Sequence, residues 1–235
     1  GDHVAKHAWL YMLSTLALLL ALTAPVLDLK LGFPDQGNVP EERTSRQAYD
    51  LLADGFGPGF SGPLLVAVDT ASVSDQELKV LATTLETDPG VAFVQPPERS
   101  PVGEAAIILI FPTTAPQDPK TVALLNRIRG PIFSSVLSDE GTAHVGGATA
   151  SFADVSERVQ NRLPIFIAGV IGLSFILLML VFRSILVPIK AALLNLLSIG
   201  AAYGVLVMVF QWGWGRGLIG LQESVPIVSF IPMFM

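Results

Sequence analysis

The chain has 235 residues, 51% of them hydrophobic and 14% charged, with a net charge of −6 and no cysteine. A mean hydropathy of +0.58 lies above the range of soluble domains. No basic patch exists to neutralise phosphates, which excludes a nucleic-acid partner, and the lack of Cys excludes disulfides and thiolate metal sites.

The first apolar run covers residues 9–27, interrupted only by Ser14, Thr15 and Thr23 and preceded by Lys6 and His7. A secretory signal is the competing reading. Signal cores run roughly 7–15 residues and end at a small-x-small site, whereas this run is longer and Leu22-Thr23-Ala24 is a poor cleavage site. A retained transmembrane helix over 8–29 is the better fit. Trp9 and Tyr11 would sit at headgroup level, and Pro25 falls where the helix is about to stop.

Residues 30–162 hold 10 of the 14 Lys/Arg and 17 of the 20 Asp/Glu, whereas 163–222 contain no acid at all. A polar block is therefore inserted between membrane segments. Its first part, 30–62, reads as a linker with an amphipathic helix. Leu31 to Asn38 is turn-rich, and 44–54 looks helical, with Ala48, Tyr49, Leu51 and Leu52 as one apolar stripe and Thr44 or Ser45 as cap. Gly55, Gly57, Gly59 and Gly62 with Pro58 and Pro63 then break the helix.

Across 63–150 strands and helices alternate. A buried strand is expected at 64–68. The helix at 74–87 has Ser74 as cap, Glu77 completing a capping box, and Leu78, Leu81 and Leu85 inward. Strands follow at 91–94 and 105–111 with the turn Gln95-Pro96-Pro97 between them. A helix over 118–137 is interrupted near Gly130-Pro131, and a last strand lies at 143–145. The order βαββαβ is the split βαβ, ferredoxin-like pattern. The fold class is thus an α-helical membrane protein with an inserted extracytoplasmic α+β domain.

Residues 151–162 carry Phe152, Val155 and Val159 at helical spacing, and they continue into a second span ending at 182. A third span covers 185–210. The runs 163–182 and 191–210 each have twenty residues without a charge, long enough to cross a bilayer as a helical hairpin. Lys6, Arg183 and Lys190 are separated by an even number of crossings, so they share a side, which the positive-inside rule makes cytoplasmic. Residues 30–162 then face outward. An extracytoplasmic loop, 211–224, carries Trp212 and Trp214, and 225–235 reads as the start of a truncated fourth span.

No catalytic set is found, and the chain reads as a non-enzyme. His3, His7 and His144 lie far apart without metal-ligand spacing, Gly59-Phe60-Ser61-Gly62 lacks the spacing of a nucleophile elbow, and no phosphate-binding loop or other cofactor motif occurs. Within the spans the informative residues are Asn195, near the midplane, with Ser198, Gly200, Tyr203 and Gly204. Gly200 and Gly204 form a small-xxx-small pair that admits a neighbouring helix. These five are candidates for helix packing or coupling. Neither span of the hairpin holds an ionisable residue that would carry a proton.

The arrangement resembles one half of a resistance–nodulation–division transporter, and the wording resembles its MMPL branch (mycobacterial membrane protein, large) in actinobacterial form. Three stretches carry this: 31–38 with 44–62, "VFRSILVPIKAALLNLLSIGAAYG" at 181–204, and "VPIVSFIPMFM" at 225–235. The resemblance implies a porter-type outer domain in a multi-pass protein of the cytoplasmic membrane. It implies proton-driven export of lipids or other amphiphiles. The match is to the start of the second half of such proteins. The family's Asp-Tyr proton relay would fall beyond residue 235, so no relay residue is carried over and the chain reads as a fragment. The implied partners are an amphiphilic substrate, membrane lipids and the remaining transporter helices, with a homo-oligomer also open to it. The reading from another class is a membrane-tethered binding or assembly module without transport.

Overall fold

The computed structural model describes residues 6–29, 31–215 and 227–228. In chain order these form α1 (Ala8–Thr23) with a 3-10 turn (Ala24–Asp28), β1 (Leu31–Gly32), α2 (Thr44–Phe56), β2 (Leu64–Asp69), α3 (Asp75–Glu86), β3 (Val91–Val94), β4 (Glu98–Arg99) and β5 (Ala105–Pro112). Then follow α4 (Pro119–Arg127), a π turn (Ile128–Ile132), α5 (Phe133–Val136), β6 (Ala143–Gly146), α6 (Ala148–Phe182), α7 (Leu186–Leu206) with a π turn (Val207–Gln211), and β7 (Ile227–Val228). Two units result, residues 35–155 and residues 1–34 with 156–235.

The first unit is built on an antiparallel sheet in the order β3-β5-β2-β6, with β4 pairing β5. Register explains its core. Leu64 lies opposite Ile110, Val66 opposite Ile108 and Val68 opposite Ala106, so the period of two puts all six on one face. All six are buried, with Leu78, Leu81 and Leu85 of α3 and Leu124, Leu125 and Ile128 of the α4 segment packed among them. Each such Leu or Ile contributes about 1.5–3 kcal/mol. The opposite face presents Phe111 and its register partner Phe93, and a row of rings runs Phe56–Phe60–Phe111–Phe93 with centroids 4.6, 5.0 and 5.9 Å apart.

Local chemistry sets the element ends. The Ser74 hydroxyl oxygen accepts from the Glu77 N–H while the Glu77 carboxylate accepts from the Ser74 N–H at 2.8 Å, the expected capping box. Asp118 caps α4, and the Gly130-Pro131 interruption is the π turn. Gly147, with φ +97°, turns the chain from β6 into α6. The two-residue β4 was not expected.

The start of α2 corrects the expectation of a hydroxyl cap. Arg43 is the N-cap, without a side-chain bond, and Thr44 is already helical. The chain enters α2 from a turn closed by the Arg43 N–H to the Pro40 carbonyl at 3.0 Å, and the Arg46 guanidinium gathers the Gly37 and Val39 carbonyls and Asp50. Arg46 is the buried residue of this helix, whereas Leu51 of the apolar stripe is 73% exposed.

Among the described residues the second unit holds three helices long and apolar enough to cross a bilayer: Ala8–Asp28, Ala148–Phe182 (which begins in the first unit) and Leu186–Gln211. Only residues 183–185 join α6 to α7, because Pro188 and Lys190 already lie in the first turns of α7, where proline is tolerated. Arg183 takes φ +48° and donates its N–H to the Met179 carbonyl, a left-handed C-terminal cap. Of the loop and truncated span expected over 211–235, residues 216–226 and 229–235 lie outside the described residues. Ile227 and Val228 are strand rather than helix. They pair in parallel with Leu31 and Gly32, whose backbone groups they satisfy.

Candidate functional site

The pairing of helices in the membrane unit differs from a closed hairpin. Helix α7 packs along α1, through the small residues singled out in the sequence. A Cβ at Gly204 would overlap the Leu22 carbonyl oxygen, and one at Gly200 would come within 2.6 Å of the Thr23 side chain. The Thr23 hydroxyl donates to the Leu19 carbonyl at 2.7 Å and reaches the Leu197 carbonyl of α7 at 3.3 Å. Backbones approach this closely only where side chains are absent. Tyr203, one residue before Gly204, is buried, and its hydroxyl has no hydrogen-bond partner among the described residues. Ser198 and Asn195 are exposed, so the structure divides the five candidates rather than gathering them.

Helix α6 stands apart from α7. None of its most apolar window is buried, and the space left between α6, α7 and the segment that follows α1 is a groove of about 840 Å³. Its α6 wall is the helical stripe Gln160, Leu163, Pro164, Ile167, Ala168, Ile171, Gly172 and Phe175; the facing wall is Val26, Leu29, Leu31 and Leu196. Spacings of three and four put the first set on one side of a helix. Pro164, Ala168 and Gly172 keep the wall low and deepen the groove. Gln160 at one end is the only polar side chain in the lining among the described residues. A smaller space of about 180 Å³, lined by Pro188, Ala191 and Asn195 with Ser174 and Leu178, lies nearer the 183–185 turn.

Among the described residues the groove lining has no acid, base or nucleophile, and no group of three His, Cys, Asp or Glu side chains converges on a metal-sized site. Its chemistry is solvation: it offers an alkyl surface with an amide at one end. Sequence reasoning missed it because it sought polar residues within the spans. The i, i+4, i+8 run of Pro164, Ala168 and Gly172 was the available signal.

Outside the membrane unit the marked electrostatics are structural. Asp88 accepts from Arg127 Nε at 2.9 Å and Nη2 at 2.7 Å and from the Gly90 N–H at 2.8 Å. The guanidinium holds the Asp88 carboxyl below its usual range, and Asp88 raises Arg127 in turn. The Ser74 hydroxyl, then the Ser74 and Ser138 backbone N–H groups, bring Glu77 down to about 2. Arg129 pairs with Asp154 at the start of α6 and donates to the Val145 carbonyl at 2.9 Å, and the buried Thr149 hydroxyl donates to the Gly62 carbonyl at 3.0 Å.

Three spanning-length helices, with an α/β unit carried in the chain between the first and second, define a multi-pass membrane protein with an inserted domain. The chain belongs to the MMPL family, whose sequence model matches residues 61–234. It is 33% identical to the membrane protein YdfJ of Bacillus subtilis over 238 residues, covering 99% of this chain and 32% of that protein. It is 31% identical to the mycolic acid-containing lipids exporter MmpL11 of Mycolicibacterium smegmatis, covering 97% of this chain and 24% of that protein. The trehalose monomycolate exporter MmpL3 of the same organism is 25% identical, again with 97% and 24% covered. The chain thus spans a quarter to a third of the length of these relatives.

Proposed function

We propose that this chain is part of a proton-motive-force-driven exporter of lipids or other amphiphiles in a bacterial cytoplasmic membrane, of actinobacterial type. The observation that carries the reading is the groove: a cleft beside candidate spans whose described lining is alkyl, with one amide at its end. An acyl chain gains about 0.8 kcal/mol per buried CH₂ on leaving water, so such a cleft suits the tail of an amphiphile while Gln160 faces its head. The names of two relatives, both lipid exporters, support the same class of substrate.

In this reading residues 30–162 are extracytoplasmic and the α/β unit is a porter-type, ferredoxin-like domain that hands substrate on. The strand order β3-β5-β2-β6 with helices after β2 and β5 supports that topology. Helix α6 carries motion from this domain to the groove, and the chain supplies scaffold helices rather than the proton relay. The test is efflux of a fluorescent lipid from proteoliposomes holding the full-length protein, with and without an imposed pH gradient. Gradient-dependent efflux is expected. Binding without efflux in either condition would favour the tethered module instead.

A further inference from the structure

We propose that α6 bends at Pro164 and that this bend opens and closes the groove. Pro164 has no N–H for the carbonyl of Gln160 one turn earlier, and its ring crowds that carbonyl. The break lies inside the groove wall, with Gln160 and Leu163 on one side of it and Ile167 to Phe175 on the other. Any bend there changes the width of the cleft.

Three further features concentrate the compliance of α6 at this position. Its first turns are tied down by Arg129 on Asp154 and by Thr149 on Gly62. The opposite wall is Leu196 of α7 and the segment holding Val26, Leu29 and Leu31 that follows α1, and α1 is locked to α7 at Gly200, Gly204 and Thr23. Between Pro164 and Arg183 no described neighbour buries the apolar window of α6. Gly169 and Gly172 also soften the helix, and a Cβ at either would meet nothing. Gly169, which is outside the groove lining, is therefore a clean control: alanine there stiffens the backbone without touching a neighbour.

The proposal assigns a moving part to the groove and rests on the reading of that groove as the lipid path. The experiment separates the two. The pair Leu29→Cys and Leu163→Cys is spin-labelled across the cleft in the full-length protein in nanodiscs; these 235 residues add no other cysteine, and any elsewhere in the protein is replaced by serine. Electron–electron distances are then measured without substrate or gradient. Two distance populations are expected, merging into one in Pro164→Ala, persisting in Gly169→Ala, and returning when Pro164→Ala is combined with Ala168→Pro. Lipid efflux should fall severalfold in Pro164→Ala. A single population in the parent, two unchanged populations in Pro164→Ala, or equal loss in Gly169→Ala would overturn the hinge. Absence of efflux from the parent protein would instead overturn the transport reading and leave the hinge standing.

Discussion

Asp88, two residues past the end of α3, receives both forks of the Arg127 guanidinium from the last turn of α4, although the two residues are 39 positions apart. The Asp88 side chain is only 9% exposed while Arg127 is 41% exposed. The pair fastens the two helices that cover the sheet, and its charged partners are unequally screened. Arg127→Ala should cost about 1.5 kcal/mol, the lower end for a hydrogen bond to a charged group, because solvent screens the arginine. Thermal unfolding of the purified protein checks this. Asp88→Ala, which removes the buried charge as well, should cost no more.

The same pair has a pH signature. Asp88 is held below its unfolded value, so its contribution is complete above about pH 3.9 and is lost as pH falls through the lower folded value. Glu77 behaves alike over a window from 4.5 down to about 2. Stability measured from pH 6 to pH 2 should therefore decline on acidification. Glu77→Gln should flatten the curve below 4.5, and an unaltered acid limb in that variant would count against the capping box as its source.

Gly204 tests the contact of α7 with α1. Gly204→Val must part the helices at the Leu22 carbonyl, with an expected cost of about 1–3 kcal/mol typical of overpacking. Gly172→Val places the same side chain in open space on α6 and should leave stability within about 1 kcal/mol, the cost of helix propensity alone. A comparison of the two in detergent unfolding isolates packing from propensity.

Filling the groove should separate fold from function. Ala168→Trp places an indole across the α6 wall opposite Leu29 and Leu196. Transport is expected to fall at least tenfold in the efflux assay, an effect of about 1.4 kcal/mol or more on the barrier, while thermal stability changes little. Normal efflux in this variant would remove the groove from the lipid path.

The α/β unit was the more legible part of the chain. Strand residues such as Val66 and Ile108 alternate with outward neighbours, and Ser74 with Glu77 spells its helix start, so local chemistry and burial point the same way. Helix α2 was harder. Its stripe of Ala48, Leu51 and Leu52 has the spacing of a core face, yet the residue it buries is Arg46, whose partners are loop carbonyls that no periodicity announces. The spans were legible as spans and illegible as packing. A helix apolar all round gives no direction, so nothing in 163–182 or 191–210 says whether α7 meets α6 or α1. The glycines at 200 and 204 named a close contact without naming its partner. Tyr203 was singled out beside them, and its role is still unassigned by any hydrogen bond.

The short link at 183–185 has a consequence for lever mechanics. Two rods joined at one end and parted at the other form a pair of calipers. The space between α6 and the elements facing it is about 180 Å³ near the joint and about 840 Å³ farther out. Pro164 sits about 28 Å along the helix from Arg183, at 1.5 Å per residue. A bend of a few degrees at Pro164 moves the far part of the arm by ångströms and leaves the joint still. Under the proposed function, a cleft of this shape would grade an amphiphile by how far along the arms its tail seats, so that chain length rather than head chemistry would be the quantity measured.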